Sequence, residues 1–182
     1  MFMNTKIIVG YPGIGKTYLG NTFCDVIDID SSDYHWIYHN SEIAQDMERR
    51  KDCQDRELNL LWPYNYIEAI DQLYHQEEYS YILVVFKKEI LPLLSAKRLP
   101  FTIVAPKKEL KTEYKQRYID RNNSDVYISR MLSEWDDDMK FLQNFSNVYY
   151  LDSGEHLTNF VASSCAFEVG QGYCKKMTNQ AH

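Results

Sequence analysis

Five short runs along the chain are apolar and rich in β-branched or aromatic residues, and more polar segments separate them. Runs of this length, bounded by turn-forming or charged residues, are typical of strands buried in a parallel sheet. The second run differs from the others because acidic and aliphatic residues alternate in it, as Asp-Val-Ile-Asp-Ile-Asp. The predicted strands cover residues 6–9, 25–30, 81–86, 101–105 and 148–151.

Apolar positions three and four residues apart predict helices between these strands. The long segment 108–145 breaks at Asn122-Asn123-Ser124, a turn whose side chains also favour the start of the next helix. Segment 41–61 is polar and charged, which predicts exposed helix or a mobile flap, and Pro63 then suits a first helical turn. The predicted helices cover residues 16–23, 63–75, 90–96, 108–145 and 155–162.

Strands and helices alternating at this spacing predict an α/β fold with a parallel sheet. A chain of 182 residues has the length of one domain. We expect that domain to cover residues 1–162, with an acceptor-side flap at 34–61 and a lid at 107–130. Residues 163–182 show no periodicity and are expected to form a C-terminal tail.

Composition narrows the range of partners. The net charge is −6, so a basic face wide enough for an extended nucleic acid is not expected. No apolar segment approaches 18 residues and the first residues lack the pattern of a leader, which predicts a cytoplasmic protein without a membrane partner. The four cysteines are scattered, which predicts reduced thiols, and they do not combine with the five histidines at metal-site spacing.

The motif that carries chemistry follows the first strand, as Gly-Tyr-Pro-Gly-Ile-Gly-Lys-Thr. Gly10, Gly15, Lys16 and Thr17 satisfy the pattern G-x-x-x-x-G-K-[S/T] in the strand-to-helix context that the pattern requires. Glycines let successive backbone amides face a phosphate, and the following helix adds its positive N-terminal dipole. A chance glycine-rich turn is the alternative. The motif predicts a phosphate ligand without selecting among kinases, GTPases and motor ATPases.

Two carboxylates at the end of the second strand could face the phosphate. Asp28 and Asp30 share one face of the strand, at the sheet edge where open α/β folds bind ligands. The third strand runs into Lys87-Lys88 and lacks the acid that holds magnesium in motor ATPases. One acid could join a metal shell while the other meets an acceptor hydroxyl. Alternatively, both are solvated or Asp30 caps the next turn. Of the two, we expect Asp30 to be the functional acid.

Cations come from the second half of the chain. Arg117 and Arg121 lie four residues apart on one predicted helical face. Like charges at this spacing are unfavourable unless an anion lies between them. Ordinary surface pairs with Glu113 and Asp120 are an equally good interpretation, so the spacing does not decide between a phosphate-binding role and a structural one.

The motifs, in their order, resemble those of the P-loop small-molecule kinases, the superfamily of adenylate kinase and other nucleoside monophosphate kinases. Within that group the chain looks like a short type found in bacterial and phage genomes. The matching stretches are IIVGYPGIGKTYL, VIDIDSSDYHW, WPYNYIEAI, YILVVFKKEI, FTIVAPKKELKTEYKQRYIDRNNS and EWDDDMKFL. The resemblance implies a three-layer fold with a parallel sheet in the order 2-3-1-4-5, helices on both faces and a helical lid. It also implies transfer of the γ-phosphoryl group of ATP, with Mg²⁺, to a nucleotide or nucleoside.

The resemblance assigns roles to single residues. Lys16, Asp30 and the two arginines, Arg117 and Arg121, would be catalytic, and Thr17 and Asp30 would hold Mg²⁺. Adenylate kinase has a glycine between the lysine and the hydroxyl residue of its loop, whereas Thr17 follows Lys16 at once, so AMP is not implied as the acceptor. The residues assigned to ATP are Gly10, Gly13, Ile14, Gly15, Lys16, Thr17 and Tyr18.

Aromatic residues mark the predicted acceptor side. Tyr34, Trp36 and Tyr38 could stack on a flat base, or they could belong to the core. Two rival functions stay open: a kinase of polynucleotide 5′ ends, and a regulatory ATP-binding module without a small acceptor. We expect a monomer or a homodimer. The residues predicted to bind the acceptor are Asp28, Asp30, Ser31, Tyr34 and Trp36.

Overall fold

The computed structural model describes residues 5–45, 50 and 53–165. Its strands are, in chain order, β1 (Lys6–Gly10), β2 (Val26–Asp28), β3 (Trp36–Tyr38), β4 (Arg56–Leu58), β5 (Tyr81–Val85), β6 (Phe101–Pro106) and β7 (Val148–Leu151). Five of them form one sheet in the order β2-β5-β1-β6-β7, and every pairing in that sheet is parallel. The predicted α/β class and parallel sheet are confirmed.

The order of the main sheet depends on how the strands are counted. β3 and β4 form a separate antiparallel pair between β2 and β5 in the chain. Counted among its own members alone, the main sheet therefore has the order 2-3-1-4-5. This is the order that the resemblance implies.

The helices are α1 (Lys16–Thr22), α2 (Ser32–His35), α3 (Ser41–Ala44), α4 (Tyr64–Gln76), α5 (Ile90–Ala96), α6 (Lys111–Asp120), α7 (Asp125–Leu142) and α8 (Leu157–Cys165). A 3₁₀ turn, Lys108–Leu110, precedes α6. The predicted break in the long helical segment is confirmed, because Asn122 has a φ of 53° and the Ser124 side chain accepts a hydrogen bond from the Tyr127 amide as the cap of α7.

Helices cover both faces of the sheet. Residues 7–9 of β1 and 81–84 of β5 expose at most 3% of their surface. Because successive side chains of a strand point to opposite faces, burial of all of them requires a layer on each side. The helices contact each other as well as the sheet: α1 contacts α8, and α4 contacts α5. None of the helices in the described ranges has the length and apolar character needed to cross a membrane.

Two segments differ from their predictions. The predicted flap contains β3, α3 and β4. The pairing of β3 with β4 was not revealed by the sequence pattern, because each strand has only three residues. Residues 46–49 and 51–52 of that segment lie outside the described residues. The last helix, α8, continues to Cys165, beyond the predicted end at residue 162. Residues 166–182 of the predicted tail lie outside the described residues.

Candidate functional site

The glycine-rich loop connects the carboxyl end of β1 to the first turn of α1. Gly13 and Gly15 have φ angles of 87° and 101°, in the left-handed region that favours glycine. A Cβ on Gly13 would lie 3.0 Å from the ring of Tyr118, so close packing requires a glycine there as well. Gly15 is the N-terminal cap residue of α1. The two glycines thus give the loop the backbone path that an anion-binding nest needs.

Each carbonyl group of residues 10–15 accepts at least one hydrogen bond from another residue. These bonds hold the carbonyl oxygens in fixed directions and leave none of them free to repel an anion. In loop order the donors are Phe86 N (3.1 Å) and Lys16 Nζ (2.8 Å) to Gly10, Lys16 Nζ to Tyr11 (3.4 Å), Tyr118 Oη to Pro12 (3.2 Å), Arg117 Nη1 to Gly13 (3.4 Å), Leu157 N to Ile14 (2.8 Å) and Leu19 N to Gly15 (3.2 Å).

The backbone amides of residues 13–17 show the opposite pattern. Within the described part of the chain, no group accepts a hydrogen bond from them. A trans peptide group points its amide away from its carbonyl, so the anchored carbonyls leave these amides on the other side of the loop. The last two belong to the first turn of α1, where the amides have no intrahelical partner. The loop therefore presents a row of unpaired donors at the start of a helix, which is an anion-binding arrangement.

The side chain of Lys16 bonds to the start of the loop. Its ammonium donates to the carbonyls of Gly10 and Tyr11, at 2.8 and 3.4 Å. Burial lowers the pKa of Lys16 to about 8, and the charge of Asp28 partly opposes that shift. The two neighbouring residues of the predicted ATP site have different surroundings: Ile14 has a fully buried side chain, and Tyr18 is 65% exposed on α1.

Thr17 and Asp28 join the loop to the end of β2. The hydroxyl of Thr17 donates to Asp28 Oδ2 at 3.0 Å. Burial raises the pKa of Asp28, while the positive charge of Lys16 and the bond from Thr17 act in the opposite direction. The close approach of α1 to β2 depends on Gly20, where a Cβ would lie only 2.9 Å from the Asp28 Cβ. Asp28 is thus the acid that contacts the motif.

Asp30 has a different role in the structure. Its carboxylate accepts hydrogen bonds from the amide and the hydroxyl of Ser32, at 2.9 and 2.7 Å, and so holds the start of α2. Ser31 lies between Asp30 and that helix as its N-terminal cap residue. The capping alternative for Asp30 is therefore the one that the structure shows. Of the two residues predicted to hold Mg²⁺ together, Thr17 bonds to Asp28 and Asp30 bonds to Ser32, so the structure does not pair Thr17 with Asp30. That Asp30 is the functional acid stays a prediction.

Arg117 is bound to the outside of the loop. Besides its contact with Gly13, its Nη2 donates to Glu113 Oε1 at 2.6 Å and to the carbonyl of Glu155 at 2.8 Å. The surface pair with Glu113, weighed as the alternative, is present and is partly buried. Arg121 follows α6 directly and is exposed. Its charge contributes, after burial and the opposing Asp28, to the lowered pKa of Lys16.

The first half of the predicted lid packs against the loop. Tyr114 and Tyr118 of α6 are fully buried, and their rings contact each other edge to face with centroids 6.2 Å apart. Tyr11 of the loop packs on the same group, 5.5 Å from the ring of Trp135 in α7. Its hydroxyl donates to the buried carboxylate of Asp138, at 3.1 Å. This aromatic cluster makes α6 part of the core beneath the loop.

Aromatic residues of the predicted acceptor side are paired with one another. The ring of Tyr34 packs on Tyr66, 5.1 Å away and on the margin of the core. Trp36 and Trp62 each stack on the ring of His35, at 4.5 Å in both cases. The guanidinium of Arg56 lies 4.4 Å over Trp36. His35 and Arg56 therefore each cover part of the Trp36 ring.

His35 is held neutral inside this stack. Burial, and then the charge of Lys87, lower its pKa to about 4. Lys87 Nζ lies 2.9 Å from His35 Nδ1 and 4.8 Å over the ring of Trp62. Lys87 follows β5, so the stack connects the acceptor side to the same sheet edge as Asp28. Nearby, the hydroxyl of Tyr66 bridges the carbonyl of Ile29 (2.9 Å) and the amide of Val85 (3.2 Å), and fixes the ends of β2 and β5.

The oxygen atoms at this edge fit magnesium in type. Mg²⁺ in nucleotide sites is held by one or two protein oxygens together with phosphates and water, and a complete protein cage is not needed. The Thr17 hydroxyl and the Asp28 carboxylate supply such a pair. Among the described residues there is no group of three or more His, Cys, Asp or Glu side chains that could hold a metal ion by themselves.

The chain was compared with known proteins. No protein-family model matches it, and no curated protein or solved structure does so either. The resemblance to the P-loop kinases therefore depends on the motifs of this chain alone.

Several residues of the site were not anticipated. Tyr118, Gly20 and the Leu157 amide hold the loop or its neighbours, and Trp62 completes the stack on His35. Tyr114 and Tyr118 are four residues apart, which could have predicted a buried helical face. No sequence pattern indicates which carbonyl a buried tyrosine hydroxyl will contact.

Proposed function

We propose that this protein is an ATP-dependent small-molecule kinase with a P-loop kinase fold, and that it transfers the γ-phosphoryl group of ATP to a nucleotide or nucleoside. The observation that carries this proposal is the loop itself. Its amides at residues 13–17 have no acceptor among the described residues, the Lys16 ammonium bonds to the Gly10 carbonyl of the same loop, and Thr17 bonds to Asp28 at the carboxyl edge of the sheet. Donors, a cation and a carboxylate are thus combined where a triphosphate and its metal ion would bind.

In this proposal each group of the loop has one task. The unpaired amides bind the oxygens of the β-phosphate, and they need no rearrangement because their peptide groups are already anchored. The Lys16 ammonium moves from the carbonyls of Gly10 and Tyr11 to the outer phosphates, and the phosphate oxygens then accept its hydrogen bonds. Thr17 and Asp28 would hold Mg²⁺. When bound, Mg²⁺ would neutralise part of the charge on the transferred phosphoryl group.

The acceptor would approach from the side of α2. Asp30 uses its oxygens to hold Ser32, yet a carboxylate has about four acceptor positions and retains capacity for an acceptor hydroxyl. We therefore assign Asp28 to the metal ion and Asp30 to the acceptor. Arg121, exposed at the end of α6, is the arginine that is free to approach the migrating group, whereas Arg117 is engaged with the loop.

A transfer assay tests the proposal. The protein is incubated with γ-labelled ATP, Mg²⁺ and a panel of nucleosides, nucleoside monophosphates and 5′-hydroxyl oligonucleotides, with omission of Mg²⁺ as the control. We expect label to appear on a small acceptor only when Mg²⁺ is present. Label on the oligonucleotides alone would instead favour the kinase of polynucleotide 5′ ends.

A regulatory ATP-binding module is the second candidate. It is favoured by one observation: two of the residues assigned to catalysis, Asp30 and Arg117, are each held by bonds to other parts of the protein. Such a module would bind ATP tightly and label no acceptor in the panel. Binding and transfer measured on the same preparation separate the two candidates.

A further inference from the structure

Two side chains of α6 hold carbonyl groups of the loop from outside. Tyr118 Oη donates to the Pro12 carbonyl at 3.2 Å, and Arg117 Nη1 donates to the Gly13 carbonyl over a longer distance of 3.4 Å. The next carbonyl, of Ile14, accepts from the Leu157 amide at 2.8 Å. Successive peptide groups of the loop are therefore fixed in direction by contacts from distant parts of the chain.

The direction of a carbonyl determines the direction of the following amide. In a planar trans peptide the two point in opposite directions, so an outward Pro12 carbonyl turns the Gly13 amide to the phosphate side. The Gly13 carbonyl does the same for the amide of Ile14. Glycine adopts many backbone conformations at little cost, so the loop sequence alone does not fix these peptide groups. The contacts from α6 supply the missing constraint.

The two donors of α6 are themselves held in place. The Tyr118 ring is fully buried and packs against Tyr114 and Tyr127, with centroids at 6.2 and 5.8 Å. Arg117 is oriented by Glu113 and by the Glu155 carbonyl, and it lies 4.6 Å over the ring of Tyr114. Neither donor can follow the loop if a peptide group turns, so a turned peptide group would lose its hydrogen bond.

We propose that Tyr118 and Arg117 are positioning residues for phosphate binding. They act on a bound phosphate chain through the carbonyls of Pro12 and Gly13, and they do not touch the phosphates. This inference depends on the proposed function to the extent that the ligand of the loop is a polyphosphate. It gives Arg117 a role that differs from the lid role implied by the resemblance.

The test compares two tyrosines of the same helix. Tyr118→Phe removes the hydroxyl that holds Pro12 and keeps the buried ring. Tyr114→Phe is the matched control, because Tyr114 is equally buried and the partner of its hydroxyl among the described residues is Arg117, at the marginal distance of 3.5 Å. Dissociation constants for ATP and for tripolyphosphate are measured by titration calorimetry, and the thermal stability of each free variant is recorded.

We expect Tyr118→Phe to weaken the binding of ATP and of tripolyphosphate by the same factor, about fivefold, while Tyr114→Phe changes both by less than about twofold. Tripolyphosphate isolates the phosphate contacts from those of the base. If Tyr118→Phe weakened ATP alone, Tyr118 would act on the base and the positioning role would be wrong. Equal weakening by the two variants would show that the hydroxyl on Pro12 has no special effect and would also overturn the positioning role of Tyr118.

Arg117 provides a second test. Arg117→Gln should weaken both ligands, and Arg117→Lys should not restore binding, because a lysine keeps the charge without the planar fork that contacts Gly13, Glu113 and Glu155 together. Full restoration by lysine would show that Arg117 acts only as a charge. If the unmodified protein bound neither ATP nor tripolyphosphate, the loop would not be a phosphate site and the proposed function would fail as well. Normal binding by all variants would refute the positioning role alone.

Discussion

The loop of residues 10–17 and the acceptor-side segment of residues 31–62 differ in whether the groups that could bind a ligand already have partners within the protein. In the loop every carbonyl of residues 10–15 is bonded and the amides of residues 13–17 are left without acceptors within the described part of the chain. On the acceptor side the rings of His35, Trp36 and Trp62 are stacked on one another. The loop thus holds donors ready for a ligand, whereas the aromatic rings use their faces to hold the segment together.

The difference follows from how each region is supported. The loop is anchored by α6 and α8, elements of the main core, so its backbone groups can remain unpaired. The acceptor side is built on β3 and β4, which have three residues each, and a two-stranded pair of this length is marginal without additional packing. Stacking on His35 and the contact of Arg56 with Trp36 supply that packing. Aromatic residues near a site are therefore weaker indicators of binding than unpaired amides.

Removal of the Lys16 ammonium should cause the largest loss of phosphoryl transfer. Lys16→Ala takes away the only cation that bonds to the loop carbonyls of Gly10 and Tyr11 among the described residues. We expect phosphoryl transfer to fall by at least about 100-fold, in the range observed for single groups that stabilise a transition state. The measurement is label transfer from ATP to the acceptor found with the panel.

Lys115→Ala is the matched control for that variant, because Lys115 is exposed on α6. It should keep transfer within about twofold of the unmodified protein, as surface substitutions usually do. A Lys16→Ala variant that retained most of its transfer would show that the loop is not the site of the reaction.

Substitutions of Asp28 and Asp30 should have different effects, because Asp28 contacts the loop and Asp30 lies on the acceptor side. Asp28→Asn weakens a metal shell built with Thr17, so we expect Mg²⁺-dependent transfer to fall by about 100-fold. Asp30→Asn keeps the shape of the cap at Ser32, so folding should be little affected, and the weakened hydrogen bond to the acceptor should lower transfer by about tenfold or less. Titration of Mg²⁺ against rate checks the assignment: only Asp28→Asn should shift the midpoint. A shift caused by Asp30→Asn alone would reverse the two roles.

The sequence predicted what is contiguous in the chain. The motif, its strand and its helix are neighbours, so the pattern alone was enough to place Gly10, Gly15, Lys16 and Thr17 together in one loop. The burial of β1 and β5 followed equally from their apolar runs. The parallel sheet was predicted for the same reason, because each of its elements has its own local pattern, whereas the order of the strands came from the resemblance.

The rest of the site depends on contacts between distant residues, and those leave no local pattern. The bond between Thr17 and Asp28 depends on the close approach of α1 to β2, which Gly20 allows. A phosphate-binding role for Arg117 was implied by the resemblance alone, and its partners Gly13 and Glu155 could not be predicted from its spacing. Trp36 stacks on its neighbour His35, and the second tryptophan of the stack, Trp62, comes from beyond β4.

The charge of Lys16 offers a milder test of the phosphate side. Burial lowers its pKa to about 8 in the free protein, and bound phosphates would raise it again. Binding ATP then requires uptake of a proton once the free ammonium is neutral, so affinity must fall as the pH rises. Between about pH 7 and pH 9 the charged fraction falls about tenfold, and the dissociation constant for ATP should rise by a similar factor.

Lys16→Arg separates this effect from the titration of ATP itself. Arginine remains charged throughout the range. The dissociation constant of the Lys16→Arg variant for ATP should therefore change little with pH, even if the variant binds ATP less tightly. The quantity to compare is the ratio of the two dissociation constants at each pH. A ratio that stayed constant would mean that Lys16 does not titrate in this range or does not contact the phosphates.

The smallest effect on ATP is expected on the acceptor side. Trp36→Leu removes the ring that contacts His35 and Arg56, so the free energy of unfolding should fall by about 1–2 kcal/mol while ATP binding stays within about twofold. Ile37→Ala is the control, since Ile37 is the next residue of β3 and is 42% exposed. Chemical denaturation gives the stability, and steady-state kinetics give the KM for the acceptor. If Trp36→Leu raised that KM about tenfold without loss of stability, the ring would be a base clamp after all, and the contrast between the two regions would disappear.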